Sequence, residues 1–271
     1  MVSFSSSDTL QSSDKRDDLP LPLPTLSSTP VQHPDCCLGL STALLDTILH
    51  IFQAYSQPAN PRESTKDRVR CLSIGSGTGL FEATLITSSA RNRHSFDLDL
   101  LGLEVASSTT ANKYLPHELR CTVPSTSSLY DEASEFDVWI FVYPRDPNLA
   151  KKYLDLAAGE RSKNPRLVLF LGPKADFLQG HETQDEPQQQ TFPDVLGSVS
   201  DHLDVCRNLM DQEDDAGPQD LDLSSRCSGA CTCKSNNNKS RPFHATILSS
   251  PTIGITSYET LCVLYRCSWV K

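Results

Sequence analysis

Three glycines in alternate positions, Gly75, Gly77 and Gly79, stand where an apolar run stops and a helical pattern starts, in LSIGSGTGLFEA (72–83). A glycine-rich turn from a strand into a helix leaves backbone N–H groups bare and aims the positive end of a helix dipole at whatever lies against them. In folds that hold nucleotide cofactors, the ligand sits beyond the carboxyl ends of the strands, and a carboxylate closing the second strand accepts the ribose hydroxyls. Glu104 ends the next apolar run, FDLDLLGLEV, and occupies that place. A strand-to-helix turn of some other α/β protein would explain the glycines alone. It would not explain Glu104 as well.

The elements that would position these residues follow from hydrophobic periodicity. LGLSTALLDTILHIFQAYS repeats apolar residues every three or four positions and predicts a helix with Ser41 as its N-cap. VRCLSIG, FDLDLLGLEV, HELRCTV, FDVWIFVYP and PRLVLFLGP predict five buried strands. LFEATLITSSA, ASSTTANKYL and PNLAKKYLDLAAGE predict the helices between them, and FPDVLGSVSDHLDVCRNLM predicts one more. FHATILSSPTIGITSYETLCVLYRCSW reads as two strands with a short link, which pair antiparallel. The fold class expected is α/β, a doubly wound, mostly parallel sheet with a C-terminal antiparallel hairpin and helices on both faces.

Composition bounds the rest. The chain has 271 residues and a formal net charge of −10, with no basic run of five or more, which speaks against nucleic acid as a partner. Apolar residues make up 38%, below the usual globular share of about 45–50%. Residues 1–37, rich in Ser, Asp and Pro, are expected to form a disordered tail without a signal peptide. Residues 38–271 are expected to form the domain, with an acidic low-complexity insertion around 179–242. No stretch is apolar for long enough to span a membrane. Ten cysteines without an export signal read as reduced thiols, so a cytoplasmic or nuclear location is expected. Cys227, Cys231 and Cys233, with His202 or His244, have the residue types of a zinc site, but the spacing lacks a Cys-x-x-Cys pair and no metal is expected.

The glycine pattern separates cofactors. A dinucleotide fingerprint needs its third glycine three residues after the second, where this chain has Leu80. CLSIGSGTG, LLGLEV and FDVWIFVYP instead resemble the first motif, second strand and fourth strand of the class I S-adenosylmethionine-dependent methyltransferases, a resemblance covering roughly residues 38–173 and 243–269. It implies S-adenosylmethionine as cofactor, held by Gly75, Ser76, Gly77, Gly79 and Glu104, with Ser127 or Ser128 toward the adenine. It implies Tyr143 and Asp146, after the fourth strand, as the residues meeting the methyl acceptor, Asp146 as general base. Asp146 is also a plausible N-cap for the helix starting at Pro147, and Asp137 reads as structural. The chain departs from the family at Ser73, where an acid often stands, in the loop after the third strand, which offers hydroxyls only until Asp131, and at Val142-Tyr143-Pro144-Arg145-Asp146. The function expected is methyl transfer to an unidentified acceptor, small molecule or protein. The alternative is a catalytically inactive module that keeps the methyltransferase fold for binding or interaction.

Overall fold

The computed structural model describes residues 20–56, 67–92, 94–158, 165–178, 190–205 and 243–266. Its first elements are a short hairpin, β1 (Val31–His33) and β2 (Cys36–Leu40), followed by helix α1 (Thr42–Ser56). Strands β3 (Asp67–Ile74), β4 (Phe96–Val105) and β5 (Arg120–Val123) come next, with helix α2 (Leu80–Arg91) between the first two. Strand β6 (Val138–Val142), helix α3 (Pro147–Ala158) and strand β7 (Leu167–Pro173) continue the alternation. Helices α4 (Lys174–Leu178) and α5 (Phe192–Val199), then strands β8 (Ser200–Val205), β9 (Phe243–Leu248) and β10 (Glu259–Arg266), complete the described chain.

Eight strands form one sheet in the order β5-β4-β3-β6-β7-β10-β9-β8. β10 alone runs antiparallel to its neighbours, β7 and β9; the other pairs are parallel. The doubly wound sheet and its antiparallel C-terminal hairpin are as expected. Side chains alternate between two cores, as strand pleating requires. Val138 and Ile140 of β6 join the core under α1 and α2, whereas Trp139 and Phe141 join the one under α3 and α5. Ser41 caps α1, its Oγ accepting the Leu44 N–H at 3.0 Å. Asp137 accepts the Arg70 N–H and lies 3.6 Å from the Arg166 guanidinium, at the strand ends opposite the glycine turn. It ties strands together, as its structural reading requires.

Three expectations are corrected. The tail does not run to residue 37: β1 and β2 pair, and Leu23 and Leu26 pack on the core. Within the predicted insertion, the helix expected over 192–210 forms as α5 but stops at Val199, because the chain becomes extended at Ser200 and its backbone groups find partners along β9. Residues 179–189 and 206–242, with Cys227, Cys231 and Cys233, lie outside the described residues. ASSTTANKYL is a series of turns rather than a helix. Asn112 in it is buried at φ 53°, its Nδ2 donating to the Gly102 carbonyl at 2.9 Å and its backbone N–H to Gly77 O at 2.8 Å. Those bonds to β4 and the glycine turn compete with a helix and win, and asparagine tolerates the left-handed region better than most residues.

Candidate functional site

Chain order reverses at β3: β4 and β5 build outward on one side, then β6 and β7 on the other. A crevice must open at that switch point, at the carboxyl ends of β3 and β6. A cavity of about 480 Å³ lies there. The turn after β3 forms one wall. Gly75, Gly77 and Gly79 all have positive φ, 76°, 58° and 78°. A Cβ on Gly75 or Gly77 would meet nothing within 4 Å, so these two leave bare backbone facing open space. A Cβ on Gly79 would come within 3.0 Å of Leu115 and 3.2 Å of the Asn112 backbone. The first two glycines therefore serve the cavity and the third serves packing.

Glu104 closes β4 beside that turn. Its Oε2 accepts the Gly77 N–H at 2.7 Å and its Oε1 accepts the Val105 N–H at 2.8 Å. The structure thus brings the glycine turn and the strand-end carboxylate into direct contact. Ser76 is placed elsewhere: its buried Oγ donates to Asn112 Oδ1 at 2.7 Å, behind the turn. Ser127 is outside the cavity wall, while Ser125, Thr126 and Ser128 line it. The three serine hydroxyls bond among themselves, Ser125 to Ser127 at 3.2 Å and to Ser128 at 2.8 Å.

Beyond β6 the wall is Tyr143, Pro144, Arg145 and Asp146. Tyr143 holds φ 50°, a strained value for an aromatic residue, and its hydroxyl donates to Glu259 Oε1 at 2.7 Å. Burial, then the Glu259 bond, push its pKa far above the ordinary tyrosine value, so the phenol stays protonated and is no base at neutral pH. Glu259 is wholly buried and also accepts the Gly39 N–H at 2.9 Å and the Thr256 Oγ hydrogen at 2.8 Å. Asp146 accepts the Asn148 N–H at 2.9 Å, and its carbonyl accepts the Leu149 N–H at 3.2 Å. It caps α3, the other role its position suggested, while its side chain stays exposed at the cavity rim.

Two contributors escaped the sequence reading. Glu259 lies 116 residues from Tyr143 and carried no signal. The β1–β2 hairpin brings Cys37 into the cavity wall. Its turn residue Asp35 is fixed by Lys113 Nζ at 2.6 Å and Tyr114 OH at 2.7 Å, and its carbonyl accepts from Thr78 Oγ at 2.6 Å. The two side-chain bonds, Lys113 first, hold Asp35 below the usual carboxylate range. The hairpin is thereby fastened to the glycine turn.

No protein-family model and no curated protein sequence matches the chain. Among solved structures, the methyltransferase subunit of a type I restriction-modification system from Streptococcus thermophilus aligns over 90% of this chain at 10% identity and a TM-score of 0.38. This chain spans 46% of that subunit's length. A 16S rRNA (adenine(1408)-N(1))-methyltransferase from Catenulisporales acidiphilia aligns over 89% of this chain and 97% of its own, at 12% identity and a TM-score of 0.35. DhpI in complex with SAH aligns over 84% and 98%, at 8% and 0.33. Likenesses of this order carry no functional weight by themselves. No group of three or more His, Cys, Asp and Glu among the described residues is placed to hold a metal ion, and no described helix is long and apolar enough to cross a membrane.

Proposed function

We propose that the chain is an S-adenosylmethionine-dependent methyltransferase acting on an acceptor yet to be identified, a small molecule or a protein. One observation carries this reading: at the switch point, Gly75 and Gly77 have no Cβ to fill the crevice, and the Gly77 N–H donates to the strand-end carboxylate of Glu104. Gly75 and Gly77 would take the amino-acid end of the cofactor and Glu104 the ribose hydroxyls. Val105, Val123, Leu149 and the hydroxyls of Ser125 and Ser128 would surround the base. The cofactor supplies an activated methyl on a sulfonium, so the protein's share is to position the acceptor and exclude water. Tyr143, held by Glu259, and Arg145 form the acceptor side of the wall.

A second reading keeps the cofactor and drops the chemistry. The Tyr143 phenol is committed to Glu259 and one Asp146 oxygen to the α3 cap, which favours a binding module over an acid–base catalyst. Calorimetric titration with S-adenosylhomocysteine and with NAD tests both readings. Binding of the first and not the second supports the cofactor assignment; binding of NAD alone overturns it. Formation of S-adenosylhomocysteine from S-adenosylmethionine across a panel of acceptors then separates enzyme from module.

A further inference from the structure

Glu82 is an acid in the first turn of α2, 1% exposed, directly behind the glycine turn. Its Oε1 accepts the Ser73 hydroxyl at 2.5 Å, while its buried Oε2 has no hydrogen-bond partner. A buried carboxyl oxygen left unpaired is costly and calls for an explanation. Among the described residues, no cation acts on the Glu82 carboxyl. From β2 and β3 come the Cys36 and Cys71 thiols, both pushed up mainly by burial, Cys36 to about 12, and therefore neutral. From β4 comes the negative charge of Glu104. From α1, Asp46 and His50 engage Asn92 and His94 beyond the far end of α2. Burial, with a smaller contribution from Glu104, raises Glu82 to about 7 in spite of the Ser73 bond and the pull of its own backbone N–H.

Ser73 gives this arrangement its meaning. It stands two residues before Gly75, where the methyltransferases that the chain resembles often carry an acid. Here that position carries a hydroxyl, and a carboxylate from α2, nine residues further on, accepts its hydrogen.

We propose that Glu82 is a positioning residue for the cationic end of the cofactor, ionising and releasing its proton to solvent when a positive charge is brought to the glycine turn. The proposal rests on the S-adenosylmethionine reading. That molecule carries a sulfonium and an ammonium against one carboxylate, whereas S-adenosylhomocysteine lacks the sulfonium and is electrically neutral. A buried acid that ionises in response therefore favours the reactive cofactor over its product.

The test is calorimetric titration of both ligands in two buffers of different ionisation enthalpy, on the parent and on Glu82→Gln, which keeps an acceptor for Ser73. Subtracting variant from parent cancels the ligand's own ammonium titration. For a site half-ionised near pH 7, the difference should be up to about half a proton released with S-adenosylmethionine and less with S-adenosylhomocysteine. If binding lowers Glu82 by about one unit, the parent's affinity should rise about fivefold from pH 6 to 8 relative to the variant. A strand acid restored by Ser73→Asp in a Glu82→Ser background should recover the preference for S-adenosylmethionine that Glu82→Gln loses. Equal proton release by parent and variant, or equal release with both ligands, would overturn the proposal. Absence of binding by either ligand to the parent would end the cofactor reading itself, and the proposal with it. Should Glu82→Gln not fold, a pH-independent affinity ratio of the two ligands for the parent between pH 6 and 7.5 would be enough to overturn it.

Discussion

Replacing Glu104 probes the link between the glycine turn and the carboxylate most directly. Its two oxygens accept the Gly77 and Val105 N–H groups at 2.7 and 2.8 Å, and in the proposed complex the same oxygens take the ribose hydroxyls. Glu104→Gln keeps the size but turns one acceptor into an NH2, which must then face either a backbone N–H or a ribose oxygen. Bonds to a charged acceptor are worth about 1.5–3 kcal/mol each. Losing one lowers affinity for S-adenosylhomocysteine by about ten- to a hundredfold, at 1.4 kcal/mol per decade. Glu104→Ala loses both acceptors and should fall at least as far. The N–H of the exposed Gly77 then turns to water, so the thermal transition should move little. Calorimetric titration of parent, Glu104→Gln and Glu104→Ala measures all of this. Undiminished affinity in Glu104→Ala would refute the reasoning, because the turn would then bind without the carboxylate and the juxtaposition would be incidental.

Gly77→Val should abolish stabilisation by S-adenosylhomocysteine while leaving a cooperative fold, since its side chain enters open space at φ 58°. Gly79→Val should instead lower the unfolding midpoint sharply, because Leu115 and Asn112 already fill the room; thermal melts with and without ligand separate the two. Removing residues 1–30 deletes the packing of Leu23 and Leu26 and the Ser27 carbonyl that accepts the Thr42 N–H at 2.8 Å, and should cost about 2–4 kcal/mol by urea unfolding. Glu82 binds its proton more tightly folded than unfolded, so the parent loses stability as pH rises from about 4.5 to about 7 and loses no more above that. Glu82→Gln escapes this loss, and its stability relative to the parent should grow by about 3 kcal/mol across that window, measured by urea unfolding at each pH.

Short-range patterns in the sequence carried most of the frame. The apolar runs ending at Ile74 and Val142 announced buried strands because the carboxyl-terminal half of β3 and all of β6 are covered on both faces, where Cys71, Leu72 and Ile74 and the whole of VWIFV are apolar. The glycine spacing and Glu104 were legible because a backbone at positive φ and an acid closing a strand each leave a local mark. What stayed hidden depends on distant partners. Asn112 takes its left-handed conformation from contacts with Gly77 and Gly102, so its Thr- and Ala-containing surroundings passed for a helix. Residues 31–40 form a hairpin because its turn is held by Thr78, Lys113 and Tyr114. The Tyr143–Glu259 bond joins residues with no local relation. Glu82 did leave a trace, an acid amid the buried residues Leu80, Phe81 and Leu85, yet only its contact with Ser73 gives that trace a meaning.

The place of β10 has a consequence for how the chain is made. It is the last described strand to leave the ribosome, yet it lies between β7 and β9, so β8 and β9 have no route into the sheet until it arrives. Until then the growing protein presents two unpaired strand borders, those of β7 and β9, both bearing buried apolar residues in the finished molecule. Such borders recruit other chains. A nascent polypeptide stalled before Glu259 is thus expected to be a client of chaperones, and a stop codon at that point should yield insoluble product even though every residue of the glycine turn has already been synthesised.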